Sequence, residues 1–466
     1  MLFSSITFLY YFFPVVLFFY FLVPASWKNV VLLLASLFFY GWGEPVFLIW
    51  MLAAVCFTFF AGILIEKFQG TKKGKFIFLC SVSANVLYLG IFKYSDFILE
   101  NVNRFVGISL PLLHLTLPIG ISFYTFQLLS YLIDVYRKDG KAKRNLFSFA
   151  LYIVMFPQLI AGPIVRYSQV EQQLEHRENH ITNIGKGMSR FVIGLAKKVL
   201  LANSLGELCE IVKSSSDLSV LFLWLYAVSL CLQIYFDFSG YSDMAIGLGT
   251  MFGFSFPENF NYPYLGTSIT DFWRRWHISL GSWFRDYVYI PLGGNRVRAW
   301  RFCVNLFIVW FLTGIWHGAE WNFILWGLYF GFLLWNEKAW LGRFLEKTKV
   351  TKHLYVLFFV LIGFVLFDNT NLSQILYWLT GMFGGQNLPV ISQECIYYGR
   401  SYGILLVVSC VAATPFGKTI GEFIQNTWED SVLVEILESI FLTALLLLIT
   451  AYLVDGSYNP FLYFRF

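Results

Sequence analysis

The chain has 466 residues, of which 58% are hydrophobic and 20% aromatic, and its mean hydropathy is +0.64. Only 13% are charged, about half the share in soluble domains, so the composition excludes a soluble protein and indicates a polytopic membrane protein with room for roughly a dozen spans. The net charge of +5 comes from Lys and Arg grouped in short loops. Such loops determine how a protein is oriented in the membrane, and they form no continuous basic face that could bind nucleic acid. The 7 cysteines are scattered without a Cys-x-x-Cys pair, so neither a disulfide framework nor a metal site is predicted.

The N-terminal apolar segment, residues 5–23, is predicted to be a retained first span. No basic residue precedes Lys28, and a cleaved secretory signal needs a positive region before its apolar stretch. Further apolar runs follow, punctuated by basic loops that we expect on the cytoplasmic side. These loops are 67–75, 137–144, 274–301 and 338–352. The longest polar stretch between runs is too short to fold alone, so residues 1–466 are predicted to form one domain.

The central region, residues 233–322, differs in kind from the apolar runs. Aromatic residues alternate with Asp, Arg and Asn, and Pro and Gly interrupt any continuous helix. At membrane depth such a sequence is tolerated only inside protein or beside a wet cavity, so this region is predicted to hold the chemistry. Four polar residues lie near its start: Asp237, Ser239, Tyr241 and Asp243. Two readings stay open: they cap and anchor a short helix at the interface, or they line the path of an acceptor or orient a histidine.

A cluster of charged and aromatic residues precedes and follows His277. Asp271 and Arg275 are four residues apart, so on a helix they share one face. One reading is an interfacial helix with snorkelling arginines and a tryptophan belt. The other is a cytoplasmic vestibule whose arginines hold the phosphates of an acyl carrier such as coenzyme A. The charged residues of this cluster are Asp271, Arg274, Arg275, Arg285, Asp286 and Arg296, and its tryptophans are Trp273 and Trp276.

His317 is the most informative residue of the chain. It lies in the segment 313–321, directly after the apolar run 303–312. Because a membrane removes the hydration of an imidazole, the histidine is expected to be neutral and able to act as a base. The alternative is a structural histidine hydrogen-bonded to a neighbouring helix.

Several motifs resemble the membrane-bound O-acyltransferase family. They are Pro118–Phe126, Phe156–Arg166, Asp271–Asp286 and Trp316–Gly318, in this order along the chain. The ending, Gly456–Phe466, resembles the bacterial branch that includes alginate O-acetylase. The resemblance implies an all-α bundle of roughly 11–13 transmembrane or re-entrant helices around a central tunnel.

The resemblance also implies roles for individual residues. His317 corresponds to the family's catalytic histidine, and His277 to its second, more cytoplasmic one. A thioester donor is already activated, so a base and donors for the oxyanion suffice. We expect no bound cofactor or metal, with acetyl-CoA as the donor substrate. The residues expected to hold the donor are Asn261, Trp273, Arg274, Arg275, Trp276 and Arg285, and either His277, Asn261 or Tyr262 is expected to polarise the carbonyl or position the thiol.

The same resemblance suggests the biological setting. We expect a multi-pass protein of the bacterial inner membrane that serves O-acetylation of an extracellular, alginate-like polysaccharide through a separate extracytoplasmic, esterase-like partner. Tyr463, near the end of the chain, either anchors the interface or relays the acyl group. The alternatives are D-alanylation of teichoic acid, peptidoglycan O-acetylation and, in another class, transport of a lipid or polysaccharide. A single interrupted central region argues against a transporter, because transporters often carry two matching halves.

Overall fold

The computed structural model describes residues 1–177, 180–345, 347, 350–428 and 431–456. Within these ranges every regular element is a helix, so the predicted all-α class is confirmed. Six helices are long and apolar enough to cross a membrane: 45–67, 72–106, 220–251, 299–317, 351–368 and 432–455. A bent pair, 393–401 and 403–412, makes a seventh span if counted as one.

The predicted count of roughly 11–13 included re-entrant helices, so the six or seven full spans among the described residues make up only part of it. Two further apolar helices, Phe8–Leu22 and Ala25–Gly41, are shorter than a full span. Other apolar runs are divided by turns into short helices; the run 147–161, for example, becomes a nine-residue helix followed by a four-residue one. Such short helices are suited to partial or re-entrant entry into the bilayer.

The chain forms two compact units. The first comprises Met1–Phe191 and Met244–Pro257, and its core is a set of phenylalanine rings. The ring of Phe156 lies 5.4 Å from Phe12, 5.5 Å from Phe39 and 5.8 Å from Phe252 between centroids. Its helices are α1 (Phe13–Leu22), α2 (Lys28–Gly41), α3 (Pro45–Lys67), α4 (Lys72–Val106), α5 (Ile121–Arg137), α6 (Leu146–Val154), α7 (Phe156–Leu159), α8 (Tyr167–Glu175) and most of α9 (Ile181–Ala196).

The second unit comprises Val192–Asp243 and the chain from Glu258 onward, and it contains both predicted catalytic histidines. The prediction of a single domain stays a prediction, because compact packing does not tell which part folds alone. The helices of this unit are α10 (Asn203–Ser214), most of α11 (Val220–Met251), α12 (Ile269–Arg275), α13 (Ile278–Phe284), α14 (Ala299–His317), α15 (Trp321–Asn336), α16 (Gly342–Leu345), α17 (Thr351–Asp368), α18 (Leu372–Met382), α19 (Gln393–Ser401), α20 (Gly403–Ala412), α21 (Phe416–Thr427) and α22 (Val432–Asp455).

Two glycines let α14 and α15 pack with their backbones in contact. A Cβ on Gly314 would lie 2.3 Å from the Phe323 carbonyl oxygen, and one on Gly327 would lie 2.3 Å from the Trp310 carbonyl oxygen. Small residues at such crossings allow the close approach by which membrane helices gain van der Waals contact. The close crossing fixes the end of α14, where His317 lies.

The start of α12 is fixed by side chains that satisfy its free N–H groups. The Ser268 hydroxyl accepts a hydrogen bond from the Asp271 N–H at 2.9 Å. The buried Glu337 carboxylate accepts from the backbone N–H of Ile269 at 2.5 Å and of Thr270 at 3.0 Å. Unsatisfied donors at a helix start are costly when buried, so these acceptors hold the helix that leads into His277.

Candidate active site

His317 is the last residue of α14 and lies in an aromatic enclosure. Its side chain is 7% exposed, and its ring packs edge-on against Trp316 at 5.0 Å, Trp326 at 5.0 Å and Phe367 at 5.2 Å between centroids. Gly318 ends the helix with an extended backbone, and a Cβ there would lie 2.1 Å from the Phe323 ring. The aromatic rings leave this imidazole little contact with bulk water.

His277 lies in the turn between α12 and α13. Its backbone is left-handed, with φ 44° and ψ 54°, a conformation that few residues other than glycine adopt. The side chain is 2% exposed and packs at 4.6 Å against Phe238 of α11. Burial holds the pKa of His277 well below its ordinary value of 6.5, and the nearby charge of His317 lowers it further.

Trp316 connects the two histidines. Its ring lies 5.9 Å from His277 and 5.0 Å from His317 between centroids. The structure therefore brings together the two residues that the sequence predicted as the catalytic pair. Both imidazoles therefore border the ring of Trp316.

Asn259 belongs to this site, although the sequence analysis selected its neighbour Asn261. The Asn259 side chain is 1% exposed, and its amide oxygen lies 3.1 Å from Nδ1 of His277. Asn261 is exposed and contributes its backbone: its N–H donates to the Arg275 carbonyl at 2.9 Å. The sequence signal for Asn259 was the run Pro257–Tyr262, but nothing in that run tells which asparagine turns toward the histidine.

The three predicted donor-binding arginines differ in their surroundings. Arg275 forms an ion pair with Asp271 at 3.0 Å, as the four-residue spacing predicts. Arg285 pairs with Asp286 at 2.6 Å. Arg274 is exposed in the last turn of α12. Of the three, Arg274 is therefore the best placed to meet an external anion.

The two predicted donor-binding tryptophans pack into the second unit. Trp273 lies 4.9 Å from Trp310 and 5.4 Å from Trp326 between ring centroids. Trp276 is 5% exposed and lies 5.1 Å from Phe364. Both rings therefore help to hold α12, and Trp326 connects this cluster to His317.

Of the predicted acceptor or relay residues, two lie on α11 and one lies outside the described residues. Asp237 of α11 pairs with Lys198 at 2.5 Å, with both side chains almost fully buried. Tyr241 follows one turn later on the same helix and is 3% exposed. Tyr463 falls outside the described residues. Among those residues, no three His, Cys, Asp or Glu side chains converge as metal ligands would.

Comparisons with known proteins show the family of the chain. The model of the MBOAT, membrane-bound O-acyltransferase family matches residues 141–377, just over half of the chain. The chain is 42% identical over 422 residues to a probable alginate O-acetylase of Pseudomonas aeruginosa, covering 89% of this chain and 81% of the relative. It is 41% identical over 389 residues to a probable alginate O-acetylase of Azotobacter vinelandii, covering 82% and 78%.

A third relative carries a different substrate in its name. The chain is 36% identical over 433 residues to the peptidoglycan O-acetyltransferase of Helicobacter pylori, covering 84% of this chain and 82% of the relative. The family model and these relatives together cover both histidines and the helices that hold them. The chain therefore belongs to the membrane-bound O-acyltransferase family and is a multi-pass membrane O-acyltransferase.

Proposed function

We propose that the protein transfers an acetyl group from cytoplasmic acetyl-CoA across the membrane for O-acetylation of an extracellular, alginate-like polysaccharide. The observation that carries the proposal is the buried pair His277 and His317, each in contact with Trp316. Such a pair supplies proton acceptors and excludes water, which is what thioester transfer to a hydroxyl requires. The choice of acetyl rests on relatives whose names specify O-acetyl transfer.

His317 acts as the general base in this proposal. It takes the proton of the acceptor hydroxyl while the hydroxyl oxygen attacks the thioester carbonyl carbon. The carbon–sulfur bond then breaks, and the proton passes from His317 to the leaving thiolate, so coenzyme A departs as the free thiol. A positioned base of this kind contributes about 10²- to 10⁴-fold to the rate.

The cytoplasmic end of the donor path is proposed to lie beside Arg274. Lys338 follows α15, and its pKa is lowered by burial and, to a smaller extent, by the positive charge of Arg274. An anion between the positive charges of Arg274 and Lys338 would reduce their mutual repulsion. The phosphates of coenzyme A supply such an anion.

The proposed setting is the bacterial inner membrane, with an extracytoplasmic, esterase-like partner that passes the acetyl group to the polymer. The six apolar helices support a membrane location. Peptidoglycan is the second candidate acceptor, favoured by the Helicobacter pylori relative. Acetyl content of purified wall and of purified exopolysaccharide, in cells with and without the protein, separates the two acceptors.

The first experiment measures loss of acetyl label from acetyl-CoA by purified protein, with His317→Ala as the test variant. We expect the variant to lose about 10²- to 10⁴-fold in turnover. His114→Ala is the matched control, because that side chain is 79% exposed and lies in the first unit, so it should turn over like the wild type.

Equal turnover by wild type and His317→Ala would overturn the role of His317. A wild-type protein that ignores acetyl-CoA but accepts an aminoacyl carrier protein would overturn the acetyl-CoA proposal in favour of D-alanyl transfer. Circular dichroism of both variants in the same detergent shows whether any loss comes from unfolding.

A further inference from the structure

The side-chain amide of Asn259 has one possible orientation. Its oxygen accepts from the Ser279 N–H at 3.2 Å and from the Ser279 hydroxyl at 2.9 Å. Its nitrogen donates to the Ser242 hydroxyl at 3.1 Å. A backbone N–H can only donate, so the amide atom that faces Ser279 must be the oxygen.

That orientation determines the protonation of His277. Nδ1 of His277 lies 3.1 Å from the same amide oxygen, which has no proton to donate. The Ser279 hydroxyl lies 3.5 Å from Nδ1, but its proton is donated to the amide oxygen at the shorter distance of 2.9 Å, so Nδ1 carries the hydrogen. In the neutral imidazole the other ring nitrogen, Nε2, is then unprotonated and carries a lone pair. Nε2 is buried, and among the described residues it meets no hydrogen-bond partner.

The backbone around Asn259 holds the same arrangement. The Ile278 N–H donates to the Asn259 carbonyl at 3.0 Å, and the Asn261 N–H donates to the Arg275 carbonyl at 2.9 Å. These two bonds enclose the left-handed His277. A residue in that conformation keeps it only where its neighbours determine it, so the segment that carries Asn259 also sets the direction of the imidazole.

We infer that Asn259 is a positioning residue that holds His277 as the Nδ1–H tautomer, so that Nε2 accepts a hydrogen bond from an O–H or N–H group of the bound substrate. The role of Nε2 in substrate binding rests on the proposed acyl transfer. The assignment of the tautomer rests on the hydrogen bonds alone. It excludes one role considered for His277: an Nε2 without hydrogen cannot donate to an oxyanion. The oxyanion must be stabilised by other donors.

Beyond Asn259 and Ser279, the described residues place two aromatic rings and one titratable group beside His277. Phe238 from α11 and Trp316 from α14 pack on its ring, and His317 is the titratable group whose charge acts on it. Asp237, next to Phe238 in the chain, is paired with Lys198. A new negative charge at position 259 would therefore act on His277 more directly than any existing carboxylate.

The test compares Asn259→Ala and Asn259→Asp with the wild type by two readouts. The first is nitrogen NMR of the protein labelled in histidine, with the His277 signals assigned by their loss in His277→Gln. The wild type should show Nδ1 protonated and Nε2 bare. Asn259→Ala removes the acceptor, so we expect Nε2 to become protonated in a large share of molecules. Ser242→Ala removes only the partner of the amide nitrogen and should keep the wild-type tautomer.

The second readout is acyl transfer. For Asn259→Ala we expect kcat to fall by about 10²-fold with little change in KM, because the wrong tautomer of a catalytic histidine costs up to about 10⁴-fold in other enzymes. Asn259→Asp keeps an acceptor for Nδ1–H but favours the imidazolium. Its activity should be low at acidic pH and return as the pH rises, whereas Asn259→Ala should not be rescued by pH.

A wild-type His277 protonated at Nε2 would overturn the inference, and so would Asn259→Ala with the wild-type tautomer and kcat. If the wild type transfers no acyl group from any donor, the proposed function fails while the NMR result still decides the tautomer. If Asn259→Ala does not fold, Asn259→Asp carries the test through its pH profile.

Discussion

The ion pair between Asp237 and Lys198 is almost completely buried, with side chains 2% and 3% exposed and 2.5 Å between the charged atoms. Removing one partner leaves an uncompensated charge, which costs about 3–5 kcal/mol in other proteins. We expect Asp237→Asn to lower the thermal stability of the detergent-solubilised protein strongly. Asp243→Asn, which breaks a partly exposed pair with Lys197, should lower it less.

A double variant separates a structural from a functional role of Asp237. Replacing both partners by apolar residues, Asp237→Leu with Lys198→Met, removes the buried charges together and often restores stability. If the double variant is stable and transfers acyl groups at the wild-type rate, Asp237 is not an acceptor or relay. A stable but inactive double variant would return Asp237 to the reaction path.

At the scale of elements, the hairpin of α14 and α15 sets the place of His317. We expect Gly314→Ala and Gly327→Ala each to destabilise the protein by at least about 1–3 kcal/mol, the usual cost of overpacking. The added Cβ meets a backbone carbonyl oxygen at 2.3 Å in both cases, and a backbone atom moves only if the helices part. Thermal unfolding and acetyl-CoA turnover of the purified variants check this.

Gly399→Ala is the matched control for the hairpin glycines. Gly399 lies inside α19, and a Cβ there meets no atom within 4 Å, so alanine should be neutral or slightly stabilising because it lowers the entropy lost on folding. Full stability and turnover of Gly314→Ala would contradict the close crossing. A loss of turnover with stability retained would mean that the crossing positions His317 without limiting folding.

The sequence selected the two histidines but not the geometry around them. His317 and His277 could be found because ionisable residues in apolar or interrupted sequence are unusual. The all-helical class followed from composition. Which apolar runs form full-length spans did not, because hydropathy does not show where Pro, Gly or a turn divides an apolar run. Asn259 was missed for a related reason: residues 257–262 are irregular, and outside a helix or strand spacing does not tell which side chains face inward.

At the scale of the whole molecule, α4 provides a test of membrane orientation. Its 35 residues extend about 52 Å at 1.5 Å per residue, well beyond a hydrocarbon core of about 30 Å. Its two ends must therefore lie on opposite sides. The basic segment 67–75, which includes the first turn of α4, predicts that Lys72 is cytoplasmic and that Ile108, just past the other end, is extracytoplasmic.

Cysteine labelling in intact cells with a membrane-impermeant maleimide checks this orientation. We expect Ile108→Cys to be labelled at once, and Lys72→Cys only after the cells are permeabilised. The wild type supplies the background from its native cysteines, of which Cys80 and Cys410 are exposed. The reverse pattern would contradict the cytoplasmic assignment of the basic loops.

Arg298→Cys extends the same experiment to the donor side of the second unit. Arg298 is exposed directly before α14, the helix that ends at His317, and it lies in the basic loop 274–301 that also contains Arg274. If Arg298→Cys is protected in intact cells like Lys72→Cys, Arg274 faces the cytoplasmic pool of coenzyme A thioesters. Labelling of Arg298→Cys from outside would place that loop away from its donor, and acetyl-CoA could then not reach His317 by the proposed path.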